Sequence, residues 1–387
     1  MHTLPLTEAE IAAWLRLTTT PGISRTAARK LLAAFACPQT IFDMPHAALC
    51  AVAGREAATA IQCTRSPEEA ERCEATLNWL TQADCHLLTL ADPAYPPMLL
   101  DTCDPPLLLY VRGRVQLLHT PSLAIVGSRQ ASAQGLSNAR TFAANLGTAG
   151  LTIVSGMALG IDGAAHEGAL SVGGATVAVV GTGVNRIYPA RHAALAQQLA
   201  QHGALISEWP LDTPARPSHF PQRNRLIAGL VRGVLVVEAA AQSGSLITAR
   251  LANEMGRDVY AIPGSIHATL TKGCHYLIKD GAKLVESATD VLEDFGWPAR
   301  PTSQPTAPVQ PASDNTQALD ADTRAVLQAL GHDAAAPDLL CERTGLNPAQ
   351  LQAALLKLEM SGRIALLPCG RIAPHYGDEG ETLAHRG

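Results

Sequence analysis

The chain changes its hydrophobic rhythm twice. Over residues 14–35 apolar positions recur every three or four residues, in WLRLTTT and again in SRTAARKLLAAF, which is the spacing of amphipathic helices. Pro21-Gly22-Ile23 interrupts that spacing, so a tight helical hairpin is predicted there. From about Pro121 to Phe295 the pattern becomes short, unbroken apolar runs: LAIVG (123–127), TIVSG (152–156), ATVAVVG (175–181), ALISEW (204–209), GVLVVEA (233–239) and DVYAIPG (258–264). Amphipathic or Ala-rich stretches long enough for crossover helices separate them. A strand reads this way when both faces of its sheet are covered, which places the block in the α/β class with a doubly wound parallel sheet. Beyond residue 318 come three short helical patterns and then RIALLPCGRIAP, the outline of a winged helix.

These rhythms divide the chain into an N-terminal helical domain (1–75), a Rossmann-like domain (76–297), a Pro-rich linker (298–317) and a winged-helix domain (318–376). The linker, PARPTSQPTAPVQPASDNTQ, is too poor in apolar residues to pack. A length of 387 residues suits two or three domains. No apolar run approaches the roughly 18 residues a membrane span needs, and MHTLPLTEAEIAAWL lacks a secretory pattern. The nine cysteines contain no Cys-x-x-Cys pair and read as reduced, packed thiols, so a cytoplasmic location is expected.

The net charge of −5 argues against a polyanion partner until its distribution is considered. Residues 1–110 carry 7 basic and 12 acidic side chains, and residues 316–387 carry 6 and 9. Residues 120–236 carry 8 Arg, no Lys and only 4 acidic side chains. The middle block is therefore where a phosphate site would lie, and Arg without Lys suits geometric recognition of phosphate better than a diffuse field. The densest chemistry is FPQRNRLIAGLVRGVLVVEAAAQSGSLIT (220–248). A strand leading to Ser243-Gly244-Ser245 at a helix start leaves free N–H groups and a helix dipole facing an anion. Arg223 and Arg225 bring fork-shaped donors, although one helix cannot turn both the same way. Phe220 offers a flat face to a base. In a doubly wound sheet ligands bind outside the carboxyl ends of the strands, which draws in Ser128, Arg129 and Gly156 as well.

LAIVGSRQASAQG, SGMALGIDGAAHEGAL, GTGVNRIYP, FPQRNRLIAGL with VVEAAAQSGSLITA, and the later GRDVYAIPGS and TKGCHYLIKDGAKLV resemble, in order and spacing, the DNA-processing protein A family, also called Smf. The resemblance implies a three-domain protein with a helix-hairpin-helix (SAM-like) N-terminal domain. It implies binding of single-stranded DNA, loading of the RecA recombinase during natural transformation, and a homodimer formed through the middle domain. It implies no catalysis and no cofactor. Carried over residue by residue, the family's pocket comprises Gly127, Ser128, Arg129, Phe220, Arg223, Asn224, Arg225, Ser243, Gly244, Ser245 and Gly273. Arg216 is the candidate for a basic position before the Phe.

Each of these residues also has an ordinary structural reading. Arg129 could pair with Glu208 or Asp162, Phe220 could close the core, and Ser243 to Ser245 could be only a helix cap. Asp162 and His166 stand four apart on a helix without a third metal ligand, which favours packing. The hairpin could approach a DNA backbone or only pack on its neighbours, and the acidity of the winged helix favours protein contact over DNA. Dinucleotide binding is disfavoured because the first turn is Gly127-Ser128-Arg129 and the second strand ends in Ser155-Gly156. No Walker A run occurs. The alternative is a Rossmann-like nucleoside monophosphate-cleaving enzyme, but Gly181-Thr182-Gly183 has no catalytic Glu at that group's offset.

Overall fold

The structure, a computed structural model, describes residues 6–63, 67–297, 320–331, 335–367 and 370–374; the predicted linker lies outside them. Two units are formed, residues 1–300 and 301–387. The first opens with six helices: α1 (Glu8–Thr19), α2 (Arg25–Phe35), α3 (Pro38–Asp43), α4 (His46–Ala53), α5 (Arg55–Gln62) and α6 (Pro67–Leu80). Thr7 starts α1 through a reciprocal cap, its amide donating to Glu10 at 2.7 Å and its hydroxyl accepting from the Glu10 amide at 3.3 Å. Ser24 caps α2 by accepting from the Ala27 amide. Between them Gly22 sits at φ +88°, and a methyl group there would stand 3.3 Å from Ala60 of α5. The hairpin turn is thus packed on a neighbouring helix.

The sheet runs β1 (Cys85–Thr89), β2 (Leu108–Gly113), β3 (Ser122–Val126), β4 (Thr152–Ser155), β5 (Thr176–Val179), β6 (Ala204–Ser207), β7 (Gly233–Val236), β8 (Asp258–Ala261) and β9 (Lys283–Leu284). Intervening helices are α7 (Pro97–Leu100), α8 (Ala133–Thr148), α9 (Ile161–Ser171), α10 (Ala193–His202), α11 (His219–Gly229), α12 (Ser245–Glu254), α13 (Lys272–Lys279) and α14 (Ala288–Asp294). Strand order is β1-β2-β6-β5-β4-β3-β7-β8-β9. The six predicted strands, β3 to β8, are present and mutually parallel. The sheet as a whole is mixed, because β2 pairs antiparallel with β6 and β1 antiparallel with β2. That pair lies outside the predicted strands: β1 is interrupted by an exposed His86, and β2 precedes the block in which strands and helices alternate.

Alternate residues of one strand feed opposite cores. Leu123 and Ile125 pack with Phe142 of α8, Ala165 of α9 and Val291 of α14. Ala124 and Val126 face Leu226 of α11, Ala252 of α12 and Leu277 of α13. A third core joins the N-terminal helices to the sheet through Leu17, Leu31, Trp79, Tyr110 and Leu205. Each fully buried Leu or Ile contributes about 1.5–3 kcal/mol of transfer free energy. The second unit holds α15 (Ala321–Leu330), α16 (Pro337–Thr344), α17 (Pro348–Met360) and an antiparallel wing of β10 (Ile364–Leu366) and β11 (Ile372–Pro374) around Val326, Leu340, Leu358 and Ile372.

The helical segment is also tied to the sheet by charge. Arg25 of α2 reaches Asp104 at 2.9 Å and Glu208 at 3.3 Å; Arg29 binds Asp104; Arg225 of α11 binds Glu208 and the Asp104 carbonyl. Burial raises the Asp104 carboxyl, but the Arg29 hydrogen bond and the charges of Arg225 and Arg25 outweigh it and hold the group below its ordinary value. The Glu208 side chain is only 5% exposed, so its charge depends on these cations.

Beneath the sheet tips, His166 is fully buried. Thr176 Oγ1 donates to the Ile153 carbonyl at 2.8 Å and lies 2.7 Å from His166 Nδ1. The ring therefore carries its proton on Nδ1, and Nε2 has no partner. Burial, helped by the charges of His192 and Arg223, lowers this imidazole to about 3.

Two outcomes follow. Arg225→Met leaves Glu208 buried without its main cation and is expected to cost about 3–5 kcal/mol; adding Glu208→Gln should recover part of the loss in chemical denaturation, and no recovery would break the coupling. For His166 the folded pKa lies below the unfolded one, so its stabilising contribution is complete above pH 6.5 and is lost as pH falls toward 3, by up to about 1.4 kcal/mol per pH unit. His166→Gln should flatten the fall of Tm between pH 7 and pH 4; an unchanged slope would exclude that contribution.

Candidate nucleic-acid interface

Every parallel strand from β3 to β8 ends at the same rim, and its loops build the site. After β3 the chain turns through Gly127 and Ser128, whose amide donates to the Glu238 carbonyl at 2.8 Å. The Ser128 carbonyl accepts from Ile161 at 3.2 Å, and Gly160 next to it holds φ +80°, where a side chain would run into that carbonyl. Both neighbours being pinned, Arg129 projects outward. It is exposed and takes part in no ion pair within the described residues. Its guanidinium carbon lies 5.3 Å from the centre of the Phe220 ring. Its alternative partners are occupied elsewhere: Glu208 with Arg225 and Arg25, Asp162 with the amides of Gly156 at 3.1 Å and Ala158 at 3.4 Å.

Helix α11 lies across the ends of β4 and β5. Arg223 is 4% exposed and donates from Nη1 to the Gly156 carbonyl at 2.6 Å and to the Val179 carbonyl. Its guanidinium fills the volume that any side chain at Gly156 would need. Burial works against charge here: it raises the Asp162 carboxyl and brings Arg223 down to about 10, with each charge offsetting part of the other's shift. Of the two arginines in Arg-Asn-Arg, Arg223 floors the site and Arg225 turns away into the Asp104–Glu208 network. Asn224 donates to the Gly244 carbonyl at 3.4 Å and so connects α11 to the start of α12.

Arg129, Gly156, Gly181, Phe220 and Arg223 line one pocket of about 70 Å³, closed on a further side by Tyr188. Beyond Asn224, Ser243 and Ser245 join their hydroxyls at 2.7 Å, and Gly244 stands at the N-cap of α12 without a side-chain cap. The Ser245 amide donates to Ser243 Oγ at 3.4 Å and the Leu246 amide to the Ser243 carbonyl at 3.1 Å, so this helix end offers an anion its dipole more than free N–H groups. Arg216 is exposed ahead of α11, where its carbonyl accepts from His219 at 3.0 Å. Gly273 belongs to packing around the rim: its amide donates to the Ala239 carbonyl at 2.8 Å, and a methyl group there would come within 2.7 Å of the same oxygen.

Two contributors lie inside motif stretches without standing among the sequence candidates. Tyr188 is one. The other is Glu238, whose carboxylate accepts from the Ser132 amide at 2.9 Å and from the Ser132 hydroxyl at the N-terminus of α8. Strand order reverses between β3 and β7, where a doubly wound fold of this kind holds a dinucleotide pyrophosphate on the first helix. Here a carboxylate of the protein sits on that helix end, and Gly135 is needed to make room for it.

A model of DNA recombination-mediator protein A matches residues 86–296, and a model of the DprA winged helix domain matches residues 310–370. Protein Smf of Escherichia coli (strain K12) is 45% identical over 305 residues, covering 77% of this chain and 80% of that protein. DNA processing protein DprA of Streptococcus pneumoniae is 48% identical over 208 residues, 54% of this chain and 73% of that one. The X-ray structure of DNA processing protein A from Streptococcus pneumoniae covers 77% of this chain and 100% of its own, with a TM-score of 0.61 at 36% identity. The match takes in the strands, their tips and α11 in one continuous span, and the chain belongs to the DNA recombination-mediator protein A family.

Proposed function

We propose that this chain binds single-stranded DNA along the carboxyl rim of its sheet and, as a homodimer in the cytoplasm, delivers it to the RecA recombinase during natural transformation. The observation that carries the binding reading is the exposed Arg129, without an ion-pair partner among the described residues, placed beside Phe220 at the mouth of a pocket, with the N-terminal end of α12 along the same rim. Arg129 and the positive end of the α12 dipole would hold phosphates, and an aromatic face would hold a base. Contacts of this kind are indifferent to sequence, and a duplex hides the base faces they need.

Asp162 accepts two backbone amides on one oxygen, Oδ2, which anchors the turn after β4, and this structural use favours a binding role over the nucleoside monophosphate-cleaving alternative. The homodimer rests on family membership and on the far edge of the sheet, where Leu284 of β9, Ile247 and Tyr276 are exposed. Delivery to RecA rests on family membership alone. No helix among the described residues is long and apolar enough to cross a membrane.

Arg129→Ala is expected to weaken binding to oligo-dT at least tenfold without lowering Tm. The slope of log affinity against log salt should fall by about 0.7 for each phosphate that is no longer neutralised. Fluorescence anisotropy across a salt series measures both. An unchanged affinity removes Arg129 from the site, and equal affinity of the native chain for single and double strands of one length removes the single-strand reading.

A further inference from the structure

Phe220 is badly placed to be the open stacking surface of the rim. One side of its ring lies against Gly181, where a methyl group would stand 3.2 Å from Cδ1. The Arg129 guanidinium stands over the ring at 5.3 Å. What remains is in contact with a second aromatic, Tyr188, whose ring centre is 5.5 Å away at an interplanar angle of 38°. Phe220 is half-buried, whereas Tyr188 is 48% exposed and lines the same pocket.

The loop carrying Tyr188 is held in place before any ligand arrives. Thr182 Oγ1 donates to the Arg186 carbonyl at 2.8 Å, and the Arg186 amide donates to the Gly183 carbonyl at 2.8 Å. Asn185 exchanges hydrogen bonds with Asp212, at 2.8 Å to its amide and 3.0 Å to its carboxylate. On the other side the Pro189 carbonyl accepts from the His192 amide at 3.0 Å, and His192 Nδ1 is 3.0 Å from the Met157 carbonyl. A half-exposed aromatic on a loop tied at both ends has no packing reason to stand out from the surface. Its exposure next to an unpaired arginine is what a stacking platform requires.

We propose that Tyr188 is the base-stacking residue of the single-strand site: a base lies on its open face, the neighbouring phosphate lies on Arg129, and Phe220 positions both. Phe220 does this through its contact with the Tyr188 ring and through its cation–π contact with Arg129. This inference rests on the single-strand reading above and adds to it the ring that takes the base. Tyr188 has no role in the core, so its replacement leaves the fold intact.

The experiment compares affinity for oligo-dT with affinity for an abasic phosphodiester oligomer of equal length. Tyr188→Ala and Tyr188→Leu are expected to bind oligo-dT roughly tenfold more weakly and the abasic oligomer as the native chain does. Tyr188→Phe should stay within about twofold of native on both, since the ring rather than the hydroxyl carries the contact. Native-like binding of oligo-dT by Tyr188→Ala, or an equal loss on both oligomers, overturns the proposal while leaving the single-strand reading in place. A native chain that binds neither oligomer removes the parent reading and this one with it.

Discussion

The rim depends on one buried cation. Arg223 reaches from α11 to the carbonyls that end β4 and β5, and it can do so only because position 156 has no side chain. A guanidinium in that position is costly to bury, and two carbonyl acceptors with the nearby Asp162 charge offset the cost. The contact ties the first part of α11 to the strand tips, while Leu226 further along packs on a face of the sheet. Phe220, three residues earlier and nearly one turn away, then falls beside Gly181 and under Arg129. Asn224, the next residue, reaches the start of α12. Site geometry is thus inherited from a bond that itself has little freedom to touch a ligand.

Internal bonding of this kind also explains why arginine density overstated the field. Among the eight arginines of residues 120–236, Arg223 and Arg225 are consumed internally, Arg140 pairs with Glu167 at 2.9 Å, and Arg232 stands 4.4 Å over the Phe295 ring. Arg186 donates to the Asp212 carbonyl at 3.3 Å. Arg129, Arg186, Arg191 and Arg216 remain exposed on the segments after β3, β5 and β6, and of these Arg129 stands over the Phe220 ring. A few placed donors with one aromatic neighbour grip a strand locally, which is a different physical device from a broad basic surface.

Much of this was legible in the chain, for identifiable reasons. Strands covered on both faces have unbroken apolar runs, so β3 to β8 and the rim at their ends could be read directly. The pair β1 and β2 falls outside that reading, although 107–111 is an unbroken apolar run: His86 interrupts β1, and the run falls ahead of the strand–helix alternation that begins near Pro121. Motif residues marked the right loops but not their roles. Arg223 and Arg225 stand two apart in sequence, and only the folded chain reveals that one enters the floor and the other joins Asp104, a residue more than a hundred positions earlier in a loop with no motif of its own. Tyr188 was hidden for the opposite reason: exposure is a property of surroundings, and a Tyr before a Pro looks the same whether buried or open.

Glu238 shows how a fold made for one ligand class is closed to it and left open to another. The crevice between β3 and β7 would place a pyrophosphate on the α8 amides. A carboxylate supplied by the protein takes the Ser132 amide and hydroxyl, whose oxygen in turn accepts from the Gly135 amide, so an incoming phosphate there would meet a like charge. What the fold leaves facing an anion then lies along the rim, at the positive end of α12 and the arginine after β3. A ligand gripped at those positions runs across the strand ends instead of dipping into the crevice, and a linear polyanion fits that path better than a compact dinucleotide.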